Sequence, residues 1–259
     1  MKCYIEYTDE EVKIREQLEK EWLRFADGYK IHEWDIPALL EEEILKKCGY
    51  FISMPHQLTS VGYINPKDIK NIIDGCEIKN GNILKSHYYL TPAACLHLYP
   101  IIGERSLVNE VVTTKARVYR YENENFVSGQ RLWDFTVREF VAVGETEYVK
   151  SFLEDFQQKA TSLCSKINLK CDLKISSDLF YPHKLNEMRK KMQRVNKQKV
   201  ELVVNSRGKE LALASFNYHG FHFSKAFDFA KNGTIVTGCV GFGLDRWIDV
   251  LKEKQIVVK

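Results

Sequence analysis

Arg120-Tyr121-Glu122, the loop Asn123-Glu124-Asn125-Phe126-Val127-Ser128-Gly129-Gln130, and then Arg131-Leu132-Trp133-Asp134-Phe135-Thr136-Val137-Arg138-Glu139 form the stretch on which the fold turns. Residues 111–122 and 132–143 alternate or run apolar and are rich in Val, Tyr, Phe and Thr, the composition of strands. The eight residues between them are rich in turn formers, so the segment reads as strand, loop, strand: a long antiparallel hairpin. Side chains two apart on a strand share a face. Arg120 therefore stands beside Glu122, Phe135 lies in line with Glu139, and Arg131 opens the return strand at the loop. An arginine next to a carboxylate is the kind of group that grips a phosphate bidentately, and an aromatic nearby can stack on a base. A salt-bridged surface hairpin with no ligand accounts for the same spacing.

A second stretch, Gly238-Cys239-Val240-Gly241-Phe242-Gly243-Leu244-Asp245-Arg246-Trp247, closes a strand and opens a helix. Its two later glycines permit close backbone approach. Leu244, Trp247, Ile248 and Leu251 make an i, i+3, i+4, i+7 stripe, and Arg246 stands about 200° round the helix from Leu244, off that stripe. A lone Gly-x-Gly before a helix is usually a tight turn, and this one lacks both Rossmann spacing and a P-loop lysine. Elsewhere the pattern predicts helices at 9–25, 36–48, 146–164 and 183–196 and strands at 200–205, 211–219 and 235–240. Thr8-Asp9-Glu10-Glu11 starts the first helix, and Leu39, Leu40, Ile44 and Leu45 are the apolar positions of the second. Antiparallel strands with helices at the ends and flanks give an α+β class.

The chain has 259 residues, which predicts one domain over 1–259. Hydrophobic residues make up 44% and charged residues 28%, which excludes a disordered, collagenous or disulfide-scaffold chain. A net charge of +3 gives no basic coat for nucleic acid. No stretch approaches the roughly 20 apolar residues of a membrane span, and the start lacks the apolar core of a secretory signal. Seven cysteines with no CxxC pair write neither a zinc ribbon nor a redox dithiol, and a reducing cytoplasm with mostly buried thiols is the expectation. From residue type alone a cysteine is a small buried hydrophobe, and any thiols that bind metal must meet through the fold.

Taken together, the first stretch resembles motif 2 of the class II aminoacyl-tRNA synthetases, and Gly241-Phe242-Gly243-Leu244-Asp245-Arg246 resembles their motif 3. Thr91-Pro92-Ala93-Ala94-Cys95, Phe135-Thr136-Val137-Arg138-Glu139-Phe140, Ala214-Ser215-Phe216-Asn217-Tyr218-His219 and Gly238–Gly243 narrow it further. They are similar to segments of the amino acid:[carrier protein] ligases, truncated homologues of the atypical zinc-containing seryl-tRNA synthetases, over roughly residues 45 to 255. The resemblance implies a class II synthetase-like antiparallel sheet flanked by helices and a homodimer, because motif 1 builds the subunit interface in that class. Pro55-His56-Gln57-Leu58-Thr59-Ser60 is similar to the segment neighbouring that motif.

It also implies that ATP and a small amino acid, glycine or alanine favoured, give an aminoacyl-adenylate and pyrophosphate. Arg120 would then stabilise charge on the α-phosphate. Arg246 would hold the γ-phosphate and Arg131 the phosphates. Phe135 would stack under adenine, Glu122 would meet the adenine edge, and Gly243 would border the nucleotide. Cys95, Glu139 and Cys239 match the family's zinc ligands. Two thiolates and one carboxylate suit zinc better than magnesium, and three protein ligands leave a fourth position for the substrate's α-amine. His97 is read as structural or as a support to the ligands. Ser215, Asn217 and His219 share a strand face; Ser215 and Asn217 would bind substrate, with Asn217 also near the nucleotide or magnesium. Seryl-type enzymes place an acid for magnesium where this chain has Leu211; Glu210 stands one register off and faces away unless a bulge intervenes. Glu201 matches another acidic position without an assigned role, and the magnesium ligands stay open.

The acceptor implied by the resemblance is the phosphopantetheine thiol of an acidic carrier protein. The basic segment 183–198, with Arg189, Lys190 and Arg194, is the expected docking helix, or else a solvated helix face. About 50 residues precede Phe51, too few for a tRNA-binding domain beside the helices, so no tRNA is expected. Seryl-type tRNA charging and a non-catalytic paralogue that binds amino acid or nucleotide are the alternative readings.

Overall fold

The computed structural model describes residues 4–122, 126–229 and 233–257. Helix α1 spans Asp9–Phe25, as the pattern predicts, and the reason is visible at its start. The Thr8 side chain accepts from the Glu11 backbone N–H while the Glu11 carboxylate accepts from the Thr8 backbone, a reciprocal capping box. Strands β1 (Ile31–Glu33) and β2 (Leu39–Glu41) follow, then helices α2 (Glu42–Lys47) and α3 (Tyr50–Ser53). The helix expected over 36–48 is thus confined to its second half. Pro37 disfavours helical backbone at Ile36, and Leu39–Glu41 instead pair with Tyr88–Leu90.

Next come β3 (Ser60–Ile64), α4 (Ile69–Gly75), β4 (Ile83–Leu90) and α5 (Leu98–Arg105). The hairpin is β5 (Glu110–Tyr119) and β6 (Asp134–Gly144), with residues 123–125 of its loop outside the described residues. Helix α6 (Thr146–Lys166), β7 (Asp172–Ile175), α7 (Lys184–Val195), β8 (Lys199–Ser206), β9 (Lys209–Gly220), α8 (His222–Ala226), β10 (Val236–Gly243) and α9 (Leu244–Glu253) complete the order. Seven strands form one sheet in the order β1-β5-β6-β10-β9-β8-β7, and β2-β4-β3 form a second. All pairs in the large sheet are antiparallel except β1 on β5, so the sheet is mixed at that edge.

Alternation along the central strands sorts the buried side chains onto two faces of the sheet, a large cluster on one and, on the other, a second cluster with a small one around Val118 and Val137. Phe140 and Ala142 of β6 face α1, α6 and α9, where Trp22, Phe152, Phe156, Trp247 and Leu251 bury them. Trp22 stacks on Phe242 with ring centroids 4.7 Å apart. Val141 and Val143 face the other way, into a cluster with Cys95, Tyr99, Ile102, Phe223 and Cys239. The candidate active site lies on this second face, where α5 and α8 cover only one end of the sheet and leave a cleft at the other.

Candidate active site

Strand register brings the site together. Gly241 of β10 sits opposite both Glu139 of β6 and Ser215 of β9, and Ser215 sits opposite Glu201 of β8. One row over, Cys239 lies opposite Asn217, which lies opposite Lys199. Cys95 enters from the single turn Ala94–His97 that precedes α5. The result is that ligand atoms of Cys95, Glu139 and Cys239, all buried, lie within 4.8 Å of one another.

The donor chemistry of this trio fits a divalent cation with an affinity for sulfur. Burial pushes the Glu139 carboxyl up from its usual range. The Cys239 thiol is held well up by its contact with Cys95, by burial and by the Glu139 charge. Three anionic donors in so small a buried space repel one another, and a dication is the group that makes their joint deprotonation favourable. The space is built for them: a Cβ added at Gly241 would stand 2.7 Å from Glu139 Oε2. Asn217 Nδ2 reaches Cys239 Sγ at 3.5 Å and Ser215 Oγ at 3.3 Å, supporting the ligand from behind. His97 is not one of the grouped ligands and bonds Thr91 Oγ1 at 2.7 Å; burial lowers its pKa to about 4. His219, also on the site face, packs against Tyr99 and Thr237, and burial lowers it to about 3.

Beside the trio is a cavity lined by Arg120, Glu122, Arg131, Phe135, Glu139, Ser215, Gly243 and Arg246. Every nucleotide-contact residue expected from the sequence is there except Asn217, which lies between the cavity and Cys239. Strand β5 ends at Tyr119, so Arg120 and Glu122 stand on the segment beyond it, not on the strand itself. Arg120 Nε donates to Pro92 O at 2.8 Å, and its guanidinium lies 5.4 Å from the centroid of Phe135. Arg131 Nε stands 3.6 Å from Glu122 Oε2. Arg246 Nε donates to Gln130 O at 2.7 Å and Nη1 to Ala212 O at 2.9 Å, tying α9 to the hairpin loop and to β9. Burial, then the nearby Arg120 charge, lowers the Arg246 pKa.

Two residues of this wall and one that supports it were given no role in the sequence reading. Lys199 lines the cavity, donating to Asp178 Oδ1 at 2.7 Å and lying 3.4 Å from Glu201 Oε1. Burial alone would raise Asp178, but the Lys199 ammonium and the Gln193 amide hold its carboxyl below the usual range. Lys199 was legible two residues before Glu201 on one strand; Asp178 has no local signal. The third is Asp245, treated below. Glu201 also lines the cavity.

The bulge that Glu210 requires is present. Val203 pairs with Ala212 and Leu202 with Ala214, so Leu213 is the extra residue. Leu211, Leu213, Ala214 and Phe216 all pack in the helix-covered core, which returns Glu210 to the face of Ser215. It sits at the outer end, 60% exposed and paired with Lys174, outside the cavity. Arg189, Lys190 and Arg194 are likewise outside it, on α7. Arg189 and Arg194 are exposed while Lys190 is half-buried on the packed side. Helix α7 meets the cavity wall through Gln193, whose amide donates to Asp178 Oδ2 at 2.8 Å and accepts from the Asp178 N–H at 2.9 Å.

No protein-family model matches the chain. A type-2 serine–tRNA ligase of Methanococcus aeolicus is 29% identical over 236 residues, covering 82% of this chain and 45% of that protein. Amino acid–[acyl-carrier-protein] ligase 1 of Bradyrhizobium diazoefficiens is 28% identical over 222 residues, covering 81% of this chain and 67% of that one. This chain therefore spans about half the length of the former kind of relative and about two thirds of the latter. Among solved structures, M. kandleri SerRS in complex with A. aeolicus tRNASec superposes with a TM-score of 0.80 at 21% identity, over 98% of this chain and 54% of that one. Giardia lamblia prolyl-tRNA synthetase in complex with prolyl-adenylate gives 0.69 at 13% identity, over 95% of this chain and 47% of that one. The chain is thus a homologue of the amino acid–[acyl-carrier-protein] ligases and the type-2 serine–tRNA ligases, folded as a class II aminoacyl-tRNA synthetase.

Proposed function

We propose that this protein activates a small amino acid with ATP and passes the aminoacyl group to the phosphopantetheine thiol of a carrier protein. The observation that carries the reading is the convergence of Cys95, Glu139 and Cys239 beside a cavity that also gathers Arg120, Arg131 and Arg246. Cys95, Glu139 and Cys239 would hold zinc, which would supply a Lewis-acid position for the substrate's α-amine. Asn217 and Ser215 flank that position, and Arg120 faces the point where an amino-acid carboxylate meets the α-phosphate. In the first step the carboxylate oxygen bonds to that phosphorus as the α–β bridging P–O bond breaks, releasing pyrophosphate. Arg120 neutralises charge that grows on the α-phosphate, Arg246 and Arg131 hold the outer phosphates, and Phe135 supports adenine. Magnesium would accompany the triphosphate; Glu201 and Ser215, neighbours across the β8–β9 ladder and both on the cavity wall, are oxygen donors that would hold it. In the second step the carrier thiol attacks the carbonyl carbon, AMP leaves, and the thiol proton passes to solvent.

Helix α7 supports the carrier reading through an apolar stripe as well as through its charges. Leu185, Met188, Met192 and Val195 lie along one side and are 54 to 71% exposed, flanked by Arg189 and Lys191. An apolar strip edged with cations suits an acidic helical partner. We also propose a homodimer, supported by Ile69 and Ile73 on α4, a helix with no buried residue, and by exposed Tyr63 and Ile83 on the adjoining strands.

Amino-acid-dependent pyrophosphate exchange, run over all twenty amino acids on zinc-loaded protein with magnesium, tests activation. Exchange with glycine or alanine is expected, and its absence with every amino acid refutes the reading. A second reading, tRNA charging, is favoured by the likeness over 98% of the chain to a synthetase bound to tRNA. Transfer of labelled amino acid to holo-carrier rather than to tRNA separates the two, and light scattering tests the dimer.

A further inference from the structure

Asp245 follows the glycine turn into α9 and lines the cavity next to Arg246. Its carboxylate meets its own backbone N–H at the start of α9 and also reaches beyond the helix. The ladder between β10 and β6 ends at Gly243 opposite Val137, so Thr136, one residue further on, has no β10 partner for its N–H. Asp245 Oδ2 accepts that N–H at 2.6 Å, standing in for the missing rung and bolting the start of α9 to the strand that carries Phe135. Its other oxygen, Oδ1, accepts the hydroxyl of Tyr7. Arg117, whose charge acts on Asp245, is committed to Asp134 by two bonds at 2.7 and 2.8 Å. Tyr7 therefore supplies the side-chain donor to a buried carboxylate, from 238 residues away in the chain.

Tyr7 belongs to an N-terminal arm outside every motif discussed so far. The arm continues into α1, which packs Leu18 and Trp22 beneath Phe242 and Trp247. It pairs Glu19 with Arg138 of β6, and Glu11 with Lys252 of α9. Those contacts hold the underside of β6, β10 and α9. Tyr7 is where the arm reaches a side chain that forms the cavity wall.

We propose that Tyr7 is a positioning residue of the nucleotide cavity: through Asp245 it fixes the junction of β6 and α9, and with it the spacing between Phe135 and Arg246. This rests on the reading of the cavity as an ATP site. Without the hydroxyl, one buried carboxylate oxygen loses its donor, and Asp245 turns toward water or toward the cationic wall beside it. The bolt at Thr136 loosens, and the cleft no longer holds the adenine support and the outer-phosphate arginine at a fixed distance.

The test is Tyr7→Phe, which removes a single oxygen atom, beside Glu11→Gln, which breaks a different contact of the same arm with α9. ATP binding is measured by calorimetry with magnesium and no amino acid, and folding by thermal melts. Tyr7→Phe is expected to weaken ATP roughly tenfold and to raise the ATP KM in exchange while leaving the amino-acid KM unchanged. Glu11→Gln is expected to lower the melting temperature but to keep ATP affinity. In an Asp245→Asn background, Tyr7→Phe is expected to add no further loss. ATP affinity within twofold of the parent for Tyr7→Phe overturns the inference, as does equal weakening by Glu11→Gln. Failure of the parent itself to bind ATP is a different result and removes the nucleotide reading together with this one.

Discussion

Gly241→Ala adds one carbon at the most crowded point of the candidate metal centre. The new Cβ would stand 2.7 Å from Glu139 Oε2, whereas carbon and oxygen in contact rest at about 3.3 Å. The carboxylate must therefore retreat by roughly 0.6 Å, several times the ±0.2 Å that a metal–ligand bond tolerates. Nothing else in the strand objects: Gly241 has no left-handed backbone, and alanine in a strand is favoured over glycine by about 0.5–1 kcal/mol. The flexible end of Glu139 is what yields, so the damage falls on the metal and not on the fold. Zinc affinity is expected to drop at least the roughly 10- to 100-fold seen when a ligand's support is disturbed, with pyrophosphate exchange falling alongside and the melting temperature of metal-free protein unchanged. Competition against a chromophoric chelator reads the affinity, and elemental analysis reads the stoichiometry. Parent-like zinc affinity with parent-like exchange would refute the assignment of Glu139 as a ligand and the role given to the missing Cβ.

Two further predictions address the outer face and the wall behind it. Reversing Arg189 and Arg194 to Glu, or replacing Met188 and Met192 by Ser, is expected to slow aminoacyl transfer to holo-carrier about tenfold or more while leaving pyrophosphate exchange intact; equal transfer rates remove α7 as the docking helix. Asp178→Asn leaves the Lys199 ammonium with Glu201 alone and is expected to cost about 1–3 kcal/mol of stability at pH 7, read by denaturant melts. The native Asp178 carboxyl titrates below 3.8, the ordinary value for an aspartate, so it stays ionised where the unfolded chain protonates. Its contribution is present above pH 3.8 and is lost as pH falls through the lower native value. The gap between parent and Asp178→Asn is therefore expected to hold steady down to that pH and to narrow below it, and a gap that widens in acid contradicts the pairing.

What the sequence by itself determined is local. The capping box at Thr8 and Glu11 with three acids in the first turn fixes where α1 begins, and apolar residues at helical spacing carry it to Phe25. Alternation and β-branched residues mark both arms of the hairpin, and the glycine-to-leucine transition marks where β10 becomes α9. Motif order across those elements, read through the family resemblance, grouped Arg120, Phe135, Glu139 and Arg246, and these four line one cavity. Elements whose residues are mostly exposed carried no such signal. Strand β4 is exposed at five of its eight positions and β7 at all four, so neither shows an alternation, and β2 exists because β4 offers it backbone partners.

Tertiary structure decided everything that depends on register. Cys95, Glu139 and Cys239 converge because Glu139 lies opposite Gly241, two residues from Cys239, and because a single turn delivers Cys95 to that face. A slip of one residue in β6 or β10 would send Glu139 or Cys239 to the opposite face of the sheet. The extra residue at Leu213 reverses the facing of Glu210, and no propensity announces it. The links from Tyr7 to Asp245 and from Gln193 through Asp178 to Lys199 join residues that share neither a period nor an element. Helical and strand periods are written in neighbours along the chain, whereas pairing across the sheet is settled only when distant segments bury their apolar faces together.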